Sequence, residues 1–162
     1  MKEIALEYKV KTYLSLEELP ESTQNLILLA RGAANRAYAP YSGYHVGAAL
    51  LLENGEVVTG NNQENAAYPS GLCAERTALF YASSAYPGVA IRALAVSTLS
   101  NDPVAGEYAK PCGGCRQVIA EYEDLSGKPI EIILDGSSDI MVVNGIDTLL
   151  PFRFKKTDLK KK

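Results

Sequence analysis

Polar and apolar residues alternate from Ile4 to Thr12, with Ile4, Leu6, Tyr8 and Val10 on one side, the pattern of a half-buried or edge strand. Residues 16–38 then read as a helix. Pro20 sits near its start, Leu26, Leu29, Ala30, Ala33 and Ala37 recur at helical spacing, and Ala39-Pro40-Tyr41-Ser42-Gly43 ends it. Two short apolar runs, Val46 to Leu52 and Val57 to Gly60, flank Glu53-Asn54-Gly55-Glu56, whose Asn-Gly pair is a strong hairpin signal. A second helix is expected from about Cys73 to Ala82 and a third from about Cys112 to Tyr122. Ile91 to Thr98 is apolar on nearly every residue and reads as a buried strand. Ile130–Leu134 and Ile140–Val143 are further strand candidates, and a short helical turn at Asp147–Leu150 stops at Pro151.

The order βαββαβαββ predicts an α/β fold, a three-layer α/β/α sandwich on a mixed five-stranded sheet. Residues 1–15 form an N-terminal extension with an edge strand, 16–154 a single domain, and 155–162 a lysine-rich solvated tail.

Composition narrows the class. The 162 residues suit one domain, and 47% hydrophobic with 22% charged residues exclude a disordered, collagen-like or coiled-coil chain. A net charge of −3 and a pI near 5.2 argue against a nucleic-acid partner. No apolar run approaches the roughly 20 residues of a membrane span, so no membrane partner is expected. The N-terminus lacks the apolar block of a signal peptide, and three cysteines cannot all pair within one chain. A cytoplasmic location with reduced thiols follows as the expectation.

All three thiols lie in two short motifs, Cys73-Ala74-Glu75 and Pro111-Cys112-Gly113-Gly114-Cys115. Each motif falls at an expected helix start, where the partial positive charge favours the thiolate that binds metal. Three protein ligands with a fourth position open is the arrangement of a catalytic zinc, whereas a structural zinc closes all four. The single histidine, His45, lies in the turn before a strand and is poorly placed to be the fourth. Glu75, two residues past a ligand on the same helix start, could reach water without binding metal and shuttle its proton. The bland readings are a structural zinc clip, a redox pair, or buried cysteines packing as small hydrophobes. The use of every cysteine, with Pro before the pair and Glu after the single one, favours catalytic zinc.

These motifs resemble the zinc-dependent deaminases of nucleosides and nucleobases, whose signature joins a Cys or His in x-Ala-Glu to Pro-Cys-x-x-Cys. More narrowly, the chain is similar to cytidine deaminases of the small homotetrameric type. From about Glu21 to Leu159, the segments Ala39-Pro40-Tyr41-Ser42, Val46-Gly47-Ala48-Ala49-Leu50, Asn62-Gln63-Glu64-Asn65-Ala66, Cys73-Ala74-Glu75-Arg76-Thr77-Ala78, Pro111-Cys112-Gly113-Gly114-Cys115-Arg116-Gln117 and Leu149-Leu150-Pro151 match in order.

The resemblance implies a cytidine deaminase-like fold and hydrolytic deamination of cytidine and 2′-deoxycytidine, with one Zn²⁺ per chain held by Cys73, Cys112 and Cys115 and Glu75 as proton shuttle. It places Asn62 and Glu64 on the ribose hydroxyls, Tyr68 along the sugar end of the pocket, and Tyr44 against the base where the family has Phe. Phe154 takes the place of a C-terminal aromatic that covers a neighbour's pocket in a homotetramer. Its sequel, Lys155-Lys156-Thr157-Asp158-Leu159, departs from the family's Gly-Pro-x-Asp-Leu. Arg76 has a role arguable on charge alone. Three thiolates leave a divalent ion with net negative charge, and a guanidinium beside the sulfurs would restore some of its acidity; a surface salt bridge is the bland alternative. Two rivals share these motifs: a deaminase of a cytosine-containing antibiotic nucleoside or of the free base, and a structural-zinc binding module.

Overall fold

The computed structural model describes residues 1–99 and 108–159; Lys160, Lys161 and Lys162, part of the expected tail, lie outside the described residues. In chain order the elements are β1 (Val10–Tyr13), α1 (Glu21–Ala34), β2 (Val46–Leu52), β3 (Val57–Asn61), α2 (Ala74–Ala85), β4 (Ile91–Thr98), α3 (Gly113–Ser126), β5 (Glu131–Asp135) and β6 (Ile140–Asn144). The βαββαβαββ order therefore holds.

The sheet is mixed but has six strands, ordered β1-β6-β5-β4-β2-β3, where five were expected. The sixth is the N-terminal strand, left out of that count, which pairs antiparallel along β6 at one edge of the sheet. It is also shorter than the alternation from Ile4 implies. Val10 faces Val143, so residues before Lys9 would need partners beyond Asn144; there Gly145 at φ 83° turns β6 away into a 3₁₀ turn at Ile146–Thr148. Ile4, Leu6 and Tyr8 are consequently exposed.

The first helix is likewise shorter than 16–38. Pro20 disfavours helical backbone at Leu19, so 16–18 form only a 3₁₀ turn and α1 begins with the Pro20 carbonyl accepting from Thr23 and Gln24. At the far end Tyr38 leaves helical geometry because its N–H donates to the Asn62 carbonyl and its own carbonyl accepts from Glu64. The helical turn expected at Asp147–Leu150 is the 3₁₀ turn just described, beginning at Ile146.

Strand alternation sends side chains to two cores. On one face Leu26, Ile27 and Ala30 of α1 pack on Ala49, Ala95 and Ile133. On the other, Ala78 and Leu79 of α2 and Ile119 of α3 pack on Leu50, Leu94 and Ile132. Full burial of each Leu or Ile contributes about 1.5–3 kcal/mol.

β4 and β5 run parallel and the other pairs antiparallel, so α3 is the crossover between β4 and β5. Two glycines allow the helices to approach the sheet. A Cβ on Gly47 would lie 2.0 Å from the Ala30 carbonyl oxygen, and one on Gly60 would lie 2.6 Å from the Ala78 amide nitrogen. The second contact seats α2 directly on β3.

Candidate active site

Cys73 and Cys112 occupy the N-cap positions of α2 and α3, and Cys115 lies in the first turn of α3. The sulfurs of Cys73 and Cys112 are 3.8 Å apart and those of Cys112 and Cys115 3.5 Å, with all three within 4.8 Å of one another. Tetrahedral zinc with Zn–S bonds of ~2.3 Å separates its sulfurs by about 3.8 Å, so this donor set fits the ion. Cys115 is buried, Cys112 is exposed and Cys73 is intermediate, leaving the cluster open on one side.

Electrostatics polarise the three thiols. Contact with Cys115 and the Arg76 guanidinium brings Cys73 down to about 5, below an ordinary thiol. Cys115, facing that thiolate in a buried position, is pushed up. Arg76 Nη2 lies 3.5 Å from Cys73 Sγ, while Arg76 Nε is buried and finds no hydrogen-bond partner among the described residues. The guanidinium thus faces the sulfur cluster and is not a surface salt bridge. Glu75 is only 4% exposed, and burial raises its carboxyl to about 7.

Two cavities meet at Cys73. The larger, about 440 Å³, is lined by Asn62, Glu64, Tyr68, Cys73 and Arg76 among others. The second, about 240 Å³, shares Asn62, Glu64 and Cys73 and adds Tyr44, Glu75 and Cys112. Nine of the ten residues singled out by sequence therefore line the cavities or belong to the sulfur cluster beside them. Phe154 does not join them; it is 57% exposed at the far end of the chain.

Asn62 and Glu64 also hold the loop that forms the cavity wall. The Val46 amide donates to Asn62 Oδ1 and Asn62 Nδ2 donates to the Tyr44 carbonyl, each at 2.8 Å. Glu64 Oε2 accepts from the amides of Tyr41 (2.9 Å) and Ser42 (3.2 Å), and its Oε1 accepts from the Ser42 hydroxyl. The Ser42 hydroxyl, together with the Tyr41 amide, holds the Glu64 carboxyl below its usual range. Each side chain still has capacity for a ligand. Among the described residues, Asn62 keeps one N–H and one lone pair, and Glu64 has one of about four acceptor sites unused. Tyr68 stacks edge-on to Tyr41, with centroids 6.1 Å apart.

Sequence reasoning missed three contributors: Ser42, Arg116 and Lys110. Ser42 stood in a quoted motif, but its partner was not readable from spacing. Arg116 follows Cys115 and donates from Nε to the Pro111 carbonyl and from Nη1 to the Leu149 carbonyl, bracing the start of α3. Lys110 lines the smaller cavity, its ammonium 5.4 Å from the Tyr108 ring centroid; as a lone lysine it gave no signal.

The chain is similar to known proteins in sequence and fold. Residues 20–126 match the family described as the cytidine and deoxycytidylate deaminase zinc-binding region. The cytidine deaminase of Sporosarcina psychrophila is 43% identical over 137 residues, covering 84% of this chain and 93% of that one. The cytidine deaminase of Halalkalibacterium halodurans is also 43% identical, over 84% of this chain and 96% of its own. A crystal structure of cytidine deaminase from Burkholderia pseudomallei superposes with a TM-score of 0.67 at 40% identity, covering 84% of this chain and all of that one. With the matched region spanning both cysteine motifs and the relatives aligned over nearly their full length, the chain belongs to the cytidine and deoxycytidylate deaminase family.

Proposed function

We propose that this protein converts cytidine and 2′-deoxycytidine, with water, to uridine and 2′-deoxyuridine, releasing ammonia. The observation that carries this reading is the convergence of three thiols at two helix starts with a buried carboxyl beside them, at the junction of two cavities. The cofactor is one zinc ion per chain, with Cys73, Cys112 and Cys115 as its ligands. Bound there, zinc supplies a Lewis acid that makes water nucleophilic near neutral pH.

The remaining chemistry belongs to the chain. Glu75, shielded from bulk solvent, takes the proton of the attacking water, delivers it to N3 of the pyrimidine and then assists protonation of the departing amine. Tyr44 stacks on the base. Asn62 and Glu64 use their spare hydrogen-bonding capacity on the ribose hydroxyls, already fixed in place by the 41–46 loop, and Tyr68 lies along the sugar. Arg76 withdraws charge from Cys73 and so maintains the acidity of the metal.

The two cores on opposite faces of the sheet support a three-layer α/β/α arrangement. We read the assembly as a cytoplasmic homotetramer in which Phe154 covers a neighbour's pocket, supported by its 57% exposure and its place outside its own cavity.

Ultraviolet assays with cytidine, deoxycytidine, cytosine and CMP test the substrate assignment. Groups that bind sugar hydroxyls are left unpaired by the free base, which can cost on the order of 10⁴ in discrimination. Cytosine should be nearly inert, and CMP poor because no basic cluster accompanies the Asn62-Gln63-Glu64-Asn65-Ala66 motif in the sequence. Efficient turnover of either contradicts the assignment. Light scattering tests the assembly: a fully active monomer near 17.5 kDa contradicts the shared site.

A further inference from the structure

The C-terminal segment inverts the usual distribution of charge and apolar surface. Arg153 has a side chain only 7% exposed, whereas its neighbours Phe152 and Phe154 are 90% and 57% exposed. The guanidinium is held on three sides: Nε donates to Asp147 Oδ1 at 2.6 Å, Nη2 to Asp124 Oδ1 at 2.9 Å and Nη1 to the Ala120 carbonyl at 3.2 Å. Ala120 and Asp124 lie one turn apart on α3, the helix that begins at Cys112. Gln117 of the same helix donates to the Phe154 carbonyl at 3.0 Å. The segment leading to Phe154 is thus fastened along the helix that starts at the thiol cluster.

We infer that Arg153 is a positioning residue that pins the C-terminal segment to α3 and presents Phe154, pre-ordered, to the pocket of a neighbouring copy of this chain. This rests on the shared-site reading above. An aromatic ring that must be ordered at each binding event loses affinity for what it covers, and a fixed one does not. The planar guanidinium serves two carboxylates and a carbonyl from three separate nitrogens held in a fixed fork. Lysine keeps the charge but not the fork. Removal of Arg153 takes the shared partner from Asp124 and Asp147 and frees the segment.

The absence of tryptophan from the chain provides a direct probe. Phe154→Trp introduces a single indole whose fluorescence anisotropy reports order at that position. Adding Arg153→Ala should lower the anisotropy, with Arg153→Lys intermediate and Asp147→Asn smaller still. In the Phe154 background, Arg153→Ala should raise KM for cytidine roughly three- to tenfold, the cost of re-ordering one or two side chains, with kcat and zinc content little changed. If Arg153→Ala does not fold, Arg153→Lys and Asp147→Asn carry the same comparison.

Unchanged anisotropy overturns the inference. So does an unchanged KM in the Arg153 variants when Phe154→Ala itself raises KM. If Phe154→Ala leaves KM unchanged, the shared-site reading has failed, and the positioning role falls with it.

Discussion

Arg76 reaches back one turn of α2 to set its Nη2 3.5 Å from the sulfur of Cys73, the residue that caps the same helix. Helix geometry makes this contact, since residues three apart share a face. In the proposed zinc site, a guanidinium there would reduce the charge that three thiolates place on the metal. Arg76→Gln should keep the fold and the zinc but lower kcat for cytidine about 10–100-fold, the usual cost of losing an outer-shell partner. Zinc per chain and kcat, measured on the same preparation, check this. An unchanged kcat would remove Arg76 from the mechanism.

Glu75 separates binding from chemistry. It is a proton carrier in this account and not a ligand, so Glu75→Gln should retain one zinc per chain. Turnover should fall by roughly 10²–10⁴, the usual contribution of a general acid–base group. Activity within a few-fold of the parent would contradict its role.

The seat of α2 on β3 depends on the missing side chain at Gly60. A Cβ there would press on the Ala78 amide at 2.6 Å and the Ala74 carbonyl oxygen at 2.7 Å, backbone atoms that can yield only if the helix moves. Gly60→Ala should destabilise the protein by about 1–3 kcal/mol and displace Cys73 and Glu75, so zinc affinity falls as well. Gly32, inside α1, has no heavy atom within 4 Å of its would-be Cβ, and Gly32→Ala should stabilise by about 0.4–1 kcal/mol. Urea unfolding of the two variants provides the comparison. Equal stability would show that α2 tolerates displacement.

Glu123 gives a pH dependence remote from the metal. It is buried, its Oε1 accepts from the amides of Ile130 and Ile146 at 2.9 Å each, and burial raises its pKa. A carboxyl whose folded value lies above its unfolded value contributes its full stability below about pH 4.3 and loses it as pH rises through the folded value. Glu123→Gln keeps an acceptor oxygen and removes the charge. The variant should therefore gain stability relative to the parent between about pH 5 and about pH 8. Urea midpoints at those two values check the trend, and a pH-independent difference would contradict it.

What could be read in the sequence was whatever local pattern governs. The hairpin at Asn54-Gly55, the buried strand Ile91–Thr98 and the two cysteine-bearing helix starts are each set by a few adjacent residues. The length of β1 was hidden because the point where β6 turns away, not the alternation from Ile4, decides how far it pairs. The partner of this N-terminal strand was not legible either, since pairing with β6 is a long-range choice. The loop-bracing contacts of Asn62 and Glu64 were not legible because their partners are backbone groups of 41–46 and the Ser42 hydroxyl, which no spacing reveals. Arg153, just before the lysine-rich end, carries no signal in the sequence, because its carboxylate partners lie 29 and six residues earlier.

The most direct test follows cytidine with the zinc-loaded protein, recording the ultraviolet change and the ammonia released, beside Cys112→Ala. The parent should release one ammonia per cytidine consumed, and the variant should lose zinc and turnover together. A parent that holds one zinc per chain and leaves cytidine unchanged, or a variant that keeps both zinc and activity, would contradict zinc-dependent deamination by this chain.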